Sequence, residues 1–169
     1  MNGLAVEHCM IFKDNTKLLG VADVTLPDLE RVTSEIKGFG IGGTVNMPLA
    51  GNYSAMTTTI NFIAPSKEQE DMFSYETKNI EARAAVRGRD DSGALGTVSI
   101  KYVLQLIPNK LTSGKLANGD KADASGEYAT TYFAKFVDGV KVTEIDPFNM
   151  IAIVNGVDEM AEVRKALGL

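Results

Sequence analysis

The feature that most constrains the fold of this chain is an alternation of apolar and polar residues with a period of two. The clearest run is TVSIKYVLQLIP (residues 97–108), whose apolar face carries Val98, Ile100, Tyr102, Leu104 and Leu106. Three further runs give apolar faces of the same kind: Met56, Ile60 and Phe62; Ile80, Ala82, Ala84 and Val86; and Tyr128, Tyr132 and Phe136. Because successive side chains of a strand point to opposite faces, these runs predict half-buried strands.

Short polar segments between these runs predict antiparallel hairpins. RDDSG (residues 89–93) and VDGV (residues 137–140) contain glycines that adopt positive φ angles at little cost. FKDNTKLL (residues 12–19) predicts a third bend, at Asp14 and Asn15. The chain is therefore expected to fold as one mainly antiparallel β domain over residues 1–169.

Two helices are predicted beside the strands. PSKEQEDMFSYE (residues 65–76) places Gln69 three residues after Ser66, which is typical of a capping box. VDEMAEVRKALGL (residues 157–169) predicts a last helix with Asp158 as N-cap and Gly168 as its end. Its apolar face would carry Met160, Val163 and Leu167.

Two long segments do not read as plain connections. Residues 27–51 form an extended arm or loop that is rich in apolar side chains, namely Leu29, Val32, Ile36, Phe39, Ile41, Val45, Met47 and Leu49. This much apolar surface is expected to bury itself, and a neighbouring subunit is the natural candidate. Residues 108–126 are polar and rich in small residues, which predicts a mobile loop.

The charge and the cysteine content limit which binding partners and which cellular compartment are expected. Lys and Arg number 17 against 22 Asp and Glu, so the net charge is −5 and no large basic surface is expected. Cys9 is the single cysteine, which excludes an internal disulfide and favours a reducing compartment. The N-terminal sequence does not resemble a signal peptide, and no apolar run approaches the ~20 residues of a membrane span. A soluble protein of a cytoplasm, without membrane binding, is expected.

The motifs that could carry chemistry all favour structural interpretations. GFGIGG (residues 38–43) matches G-x-G-x-x-G, but it lacks the preceding buried strand and following helix of a dinucleotide site. Flexible glycines at the bend of the arm are favoured instead. The adjacent acids Asp90 and Asp91 lie in a predicted turn and lack the alternating spacing of a calcium loop.

The remaining polar candidates are equally weak. His8 and Cys9 would point to opposite faces of a strand, so they cannot share a metal ion or form a nucleophile–base pair. A spatial triad using His8 stays open as a remote alternative. Arg83, Arg87 and Arg89 form a basic row for which solvation or ion pairing is favoured over phosphate contact. We predict no catalytic, metal or cofactor site.

The C-terminal string VTEIDPFNMIAIVNGVDEMAEVRKALGL (residues 142–169) resembles the signature of the major tail tube proteins of contractile-tailed phages. Shorter segments in the same order, VTLPDLE, GFGIGGTVNM, RDDSG, SGKLANGDK and YFAKFVDGVKV, also resemble this family. The residues that carry the C-terminal signature are Glu144, Ile145, Asp146, Asn149, Asn155, Gly156, Val157 and Asp158.

The resemblance implies a barrel-like β-sandwich of two packed antiparallel sheets with a flanking helix. It implies six-fold rings that stack into a tube inside the virion tail, with DNA passing through the lumen without specific binding. Its implied partners are copies of itself, the tail sheath protein, and the baseplate or initiator and tail terminator proteins. Assembly would occur in the cytoplasm of the host bacterium. The tube of a headless contractile bacteriocin or a secretion-type injection system is an alternative, and a small β-barrel ligand-binding protein or hydrolase using His8 is a remote one.

Within this interpretation, residues can be assigned to contacts. The candidate contacts between subunits or rings are Leu29, Ile36, Phe39, Gly40, Ile41, Gly42 and Gly43. Strand alternation makes Glu81 and Glu127 candidates for the wall of the lumen. The C-terminal helix is expected to pack on its own sheet or, alternatively, to cap the subunit interface.

Overall fold

The computed structural model describes residues 2–169, and its fold is mainly antiparallel β with two short helices, as predicted. The strands are β1 (Asn2–Lys13), β2 (Thr16–Lys17), β3 (Val21–Thr25), β4 (Arg31–Ile36), β5 (Val45–Tyr53), β6 (Met56–Phe62), β7 (Lys78–Arg89), β8 (Leu95–Thr112), β9 (Ala124–Val137), β10 (Val140–Asp146), β11 (Ile151–Val154) and β12 (Val157–Asp158). The helices are α1 (Lys67–Phe73) and α2 (Ala161–Leu167). Neither helix has the length and apolar character that crossing a membrane requires.

The strands of the described chain form two antiparallel sheets of very different size. The large sheet has ten strands in the order β12-β11-β10-β9-β8-β7-β1-β2, with β6 added to β9 and β3 added to β6. The small sheet is the hairpin of β4 and β5. The large sheet therefore branches at β9. The first half of β9 pairs with β6, and the second half of β9 pairs with β10.

A β-bulge at this branch changes which residues of β9 face the core. Gln105 of β8 pairs with Tyr132, but Leu106 pairs with Thr130, so Thr131 is an extra residue in β9. An extra residue reverses the alternation of side chains beyond it. The prediction that Tyr128, Tyr132 and Phe136 share one face is therefore wrong: Tyr128 and Thr130 are buried, and beyond the bulge Phe133 is buried instead of Tyr132.

The core lies on one face of the large sheet and includes Ile11, Met56, Ile60, Phe62, Met72, Ile80, Ala82, Leu104, Leu106, Ala124, Tyr128, Phe133, Ile145, Ala152 and Met160. The inward face predicted for β6 agrees with this set, and the faces predicted for β7 and β8 agree at Ile80, Ala82, Leu104 and Leu106. The rings of Tyr102 and Phe133 are 5.9 Å apart between centroids, which joins β8 to β9 within the packed layer.

The predicted turns are present. Asp14 and Asn15 have φ of 46° and 64°, and the second hairpin uses Asp138 and Gly139 at 47° and 81°. Both pairs match the positive angles that tight two-residue hairpins require. RDDSG joins β7 to β8, with the Asp90 carboxylate accepting from the backbone of Ala94 at 2.8 Å.

The first helix begins as predicted but lacks the second bond of a capping box. The Ser66 hydroxyl accepts from the backbone N–H of Gln69 at 3.3 Å. The side chain of Gln69 does not return to Ser66, because its amide is buried and donates to the carbonyls of Thr112 and Ser125. Gln69 therefore ties α1 to strands β8 and β9.

The last helix differs more from its prediction. Asp158 belongs to β12, and the N-cap is Met160, which makes no side-chain capping bond. Met160 is buried, but Val163 and Leu167 are 39% and 61% exposed, so the predicted packing of this face on its own sheet is wrong for both. Gly168 ends the helix with φ of 77°, as predicted.

The two long segments contain more strand than the sequence indicated. The segment of residues 27–51 includes all of β4 and most of β5, so it is a hairpin rather than an irregular loop. Strand β8 extends to Thr112 and β9 begins at Ala124, so the loop predicted over 108–126 is reduced to residues 113–123. The backbone N–H of Lys115 donates to the carbonyl of Ala122 at 2.7 Å and closes this shorter loop.

Candidate assembly surfaces

The arm, which we define as the hairpin of β4 and β5 together with the preceding residues 28–30, presents apolar side chains to solvent along its whole length. All residues of β4 and the first six of β5 are exposed. The structure places the predicted contact residues Leu29, Ile36, Phe39 and Ile41 on this one projection, and the Phe39 side chain is fully exposed. Exposed apolar surface of this extent is typical of protein interaction sites.

The glycines of the arm lie in the turn between its two strands. Gly40 has φ of 86°, an angle that favours glycine over other residues. A side chain added at Gly40, Gly42 or Gly43 would meet nothing within 4 Å in this chain. Their small size is therefore not required by packing inside the subunit.

One carboxylate, that of Glu159, holds the base of the arm. Its Oε1 accepts from the Arg31 guanidinium on β4, and its Oε2 accepts from the Gly51 N–H at 3.1 Å and the Tyr53 hydroxyl at 3.3 Å on β5. The Arg31 guanidinium also lies 5.5 Å from the centre of the Tyr53 ring. The backbone N–H of Glu159 donates to Ala152 of β11 at 2.8 Å, which connects this cluster to the large sheet.

The pKa values of the cluster follow from its partial burial and its bonds. Burial raises the pKa of Glu159, but the bonds from Arg31, the Gly51 N–H and Tyr53 outweigh it and hold the pKa below its usual value. Burial and the nearby Glu159 charge raise the pKa of Tyr53. Glu159 is therefore ionised at neutral pH and bound on both strands of the arm.

The backbone of the arm and the start of α2 pack closely next to this cluster. A Cβ at Gly51 would lie 2.0 Å from the sulfur of Met160, and Gly51 has φ of 70°. Only glycine fits both the space and the backbone angle. The sequence interpretation missed Arg31, Gly51, Tyr53 and Glu159; a glycine inside a strand was the available signal, since it marks close approach of other atoms.

The C-terminal signature residues build the strands and turns that present Glu159. Ile145 is buried in the core. The carboxylate of Asp146 accepts from the backbone and side-chain nitrogens of Asn149, which stabilises the turn after β10. Asn155 and Gly156, with φ of 50° and 78°, form the turn from β11 to β12.

Two more signature residues, Asp158 and Glu144, bind side chains and backbone groups next to these turns. Asp158 accepts from the Met160 N–H at 3.0 Å and pairs with Arg164, whose guanidinium also reaches the carbonyl of Met150. Glu144 accepts from the Tyr132 hydroxyl at 2.7 Å and from Lys141 at 3.0 Å. Val157 is 65% exposed. These signature residues thus form turns, ion pairs and one core contact.

A second surface is the open face, the face of the large sheet opposite the core. Its side chains include Glu81, Arg83, Arg87, Lys101, Gln105, Glu127, Tyr132, Phe136, Lys141 and Glu144. Both Nε and Nη2 of Arg83 donate to Glu81, at 2.9 and 2.6 Å, and Lys110 approaches Glu127 at 3.8 Å. Lys101 instead lies 4.7 Å from the centre of the Phe136 ring. Acids on the same face therefore offset most of its cations.

A third surface is the outer edge of β1. Only Phe12 and Lys13 pair with β2, so within the described chain residues 2–11 have no strand on that side. Leu4, Val6 and Met10 on this strand are strongly exposed. A long unpaired edge with apolar side chains is a ready template for pairing with another chain.

His8 lies on the open face, beside a shallow groove of about 360 Å³ that is also lined by Met10, Phe12, Arg83, Ala84, Ala85, Thr97 and Ser99. Among these lining residues there is no carboxylate that could orient an imidazole as a catalytic triad requires. His8 pairs with Ala85 and Cys9 with Ala84, so the two side chains point to opposite faces as expected. Residues 2–169 contain no group of three or more His, Cys, Asp or Glu residues placed to hold a metal ion.

Comparison with known proteins gives matches over almost the whole chain. A family model described as "Phage tail tube protein FII" matches residues 5–168. The tail tube protein of Escherichia phage P2 is 29% identical over 163 residues, covering 94% of each chain. A chain from the cryo-EM structure of the anti-feeding prophage baseplate, 6-fold symmetrised, aligns with 80% of this chain and 97% of its own length, with 12% identity and a TM-score of 0.44.

Proposed function

We propose that this chain, which belongs to the phage tail tube protein FII family, joins copies of itself into stacked six-fold rings around a channel. The prediction that it is a tail tube protein is confirmed by the family match over residues 5–168. Such a protein is a structural component of the virion, and the proposal assigns it no enzymatic activity.

The observation that carries the proposal is the arm, an apolar projection with no cover from its own subunit. A ring made of one repeated chain needs a contact that closes by rotation, and a tube needs a second contact that repeats along the axis. We assign the axial contact to the arm, with Leu29, Ile36, Phe39 and Ile41 as its buried anchors. Gly40, Gly42 and Gly43 would let the turn approach the next subunit closely.

The ring contact is assigned to the free edge of β1. Edge-to-edge pairing would extend the large sheet from one subunit to the next and satisfy the unpaired backbone groups of residues 2–10. It would also cover the exposed Leu4, Val6 and Met10. Repetition around six subunits would give a continuous barrel.

The wall of the channel is assigned to the open face, which includes the proposed lumen residues Glu81 and Glu127. DNA binds basic surfaces through release of counterions, so a wall with free cations would retain it. Here Glu81 holds Arg83 and Glu7 holds Arg87, so these arginines are compensated. A compensated wall would let a duplex slide without specific binding.

Partners outside the tube are also part of the proposal. A sheath protein around the tube, a baseplate or initiator complex and a tail terminator would contact it in a contractile tail. Val163 and Leu167 of α2 are exposed, which supports the alternative that this helix contributes to a subunit interface.

Negative-stain electron microscopy of the purified protein, alone and with baseplates that initiate tubes, tests the proposal. We expect hollow six-fold rings that stack into tubes of uniform diameter. Tubes that form equally well when residues 36–45 are replaced by Asn-Gly would refute the role of the arm. A chain that remains monomeric on competent baseplates would refute the assembly function itself.

A further inference from the structure

We infer that Glu159 is a positioning residue for assembly, and that its carboxylate fixes the direction in which the arm projects from the subunit. The inference rests on the proposed role of the arm in contacts between subunits. It adds a residue that acts on assembly through the segment assigned to the contact.

The first argument is the connectivity of this carboxylate. One oxygen is bound on β4, through Arg31, and the other on β5, through the Gly51 N–H and the Tyr53 hydroxyl. The side chain of Glu159 is 18% exposed, so these bonds are partly shielded from water. Hydrogen bonds to a charged group in such a place are stronger than those between neutral groups.

The second argument is the irregular backbone at the same point. Arg31 pairs with Tyr53, but Thr33 already pairs with Pro48, so residues 49–52 lie outside the regular ladder opposite Val32. Such an interruption lets a hairpin bend, because regular inter-strand bonds are missing. Glu159 binds at this interruption, so its contacts can set the angle between the outer part of the arm and the rest of the subunit.

The third argument is that the base of the arm stays closed without Glu159. The Ser54 N–H donates to the Glu30 carbonyl at 2.8 Å, one position beyond the Arg31–Tyr53 pair. Loss of the carboxylate would therefore free the direction of the arm while its two strands remain paired. If Glu159 only stabilised the fold in general, its loss would weaken the pairing of the two strands as well as the direction of the arm.

The experiment compares Glu159→Gln, Arg31→Gln and Tyr53→Phe with the matched control Glu162→Gln. Glu162 lies in α2 three residues further on and forms no ion pair among the described residues. Arm direction is measured by the distance distribution between spin labels on the native Cys9, which is exposed, and on a Lys37→Cys substitution near the arm tip. Hydrogen exchange of the Gly51 amide is measured on the same unassembled chains, and tube yield on competent baseplates.

We expect Glu159→Gln and Arg31→Gln to broaden the distance distribution. Glu159→Gln should also speed Gly51 exchange by roughly tenfold, because the acceptor of this N–H loses its charge. Tube yield should fall, while exchange of buried β8 amides and every measurement on Glu162→Gln stay as in the parent. Tyr53→Phe, which keeps the ion pair, should give a smaller effect of the same kind.

Unchanged distance distributions in Glu159→Gln would overturn the inference, as would broadened distributions with normal tube yield. If Glu159→Gln fails to fold, Arg31→Gln and Tyr53→Phe decide by the same criteria. A parent chain that forms no tubes would count against the proposed function, whereas the spin-label distances would still show whether Glu159 fixes the arm.

Discussion

The guanidinium of Arg87 on β7 donates to the carboxylate of Glu7 on β1, with 2.8 Å between Nε and Oε1. The neighbouring Arg83 is held by Glu81 in the same way. The basic row that the sequence shows on β7 is therefore largely offset by acids of the same face. An exposed ion pair adds little stability, so its value here lies in the charge that it masks.

Unmasking these arginines should create affinity for DNA. The double variant Glu7→Gln/Glu81→Gln is expected to bind duplex DNA at low salt, with log K falling by about 0.9 per log unit of salt for each phosphate contacted. Fluorescence anisotropy at several salt concentrations measures this. The control Glu68→Gln/Glu162→Gln makes the same change in net charge on the helices. Equal binding by both variants would mean that net charge, rather than the local pairs, keeps DNA off.

Removing the arm tip should abolish stacking without unfolding the subunit. Glu35 and Asn46 are partners in the hairpin, so Asn-Gly can replace residues 36–45 and close the shortened strands. Because the removed residues are exposed, the free energy of unfolding should change by no more than about 0.5 kcal/mol. Sedimentation velocity then reports the loss of tubes, and Leu116→Ser, at another strongly exposed apolar residue, serves as the control. Loss of tubes in the control as well would assign the effect to surface apolarity in general.

The buried face of a strand could be predicted where the strand pairs in one unbroken register with its partner. Residues 78–89 and 95–106 pair along their whole length without a shift, and their alternation directly gives the buried face. Strand β9 could not be predicted in this way, because it pairs with β8 on one edge and with two different strands on the other. The position of its extra residue, Thr131, depends on those partners and leaves no local sequence signal.

The base of the arm escaped prediction for a different reason. Arg31 and Glu159 are 128 residues apart in the sequence, and neither has a neighbour that suggests an ion pair. The signature string contains Glu159, but a resemblance shows that a segment recurs without showing which atoms it contacts. The exposure of Val163 and Leu167 was missed because an amphipathic period predicts a buried face even where no partner lies within the same subunit.

The bulge in β9 predicts stability losses of very different size for two phenylalanines three residues apart. Phe133→Ala removes a buried ring beside Tyr102 and should cost about 3–5 kcal/mol of unfolding free energy. Phe136→Ala removes a partly exposed ring that contacts Lys101 and Lys141, and should cost about 1 kcal/mol. Denaturant unfolding measures both values. A larger loss of unfolding free energy for Phe136→Ala than for Phe133→Ala would support the uninterrupted alternation that the sequence suggests, without a bulge.

The contact between Gly51 and Met160 should appear as coupling between two substitutions. Gly51→Ala forces a methyl group into the Met160 side chain at a positive φ, and should cost well over ~1 kcal/mol. Met160→Ala should cost about 2–5 kcal/mol through the cavity it leaves. The double variant should be more stable than the sum of the two losses predicts, because the small side chain at 160 makes room for the new methyl group. Strict additivity in thermal unfolding would show that the two residues do not touch in solution.

The bonds from Glu159 to Arg31, Gly51 and Tyr53 at the base of the arm should weaken at acid pH. The folded-state pKa of Glu159 lies below its ordinary value of 4.5, so its stabilising contribution is complete above that value and is lost as pH falls through the lowered pKa. The NMR shift of the Gly51 amide, which donates to this carboxylate, should titrate with a midpoint below 4.5. In Arg31→Gln the midpoint should rise. Burial still raises the pKa of Glu159, but the Arg31 hydrogen bond, which lowers it most, is gone. A parent midpoint at or above 4.5, or one that Arg31→Gln leaves in place, would show that the ion pair does not form in solution.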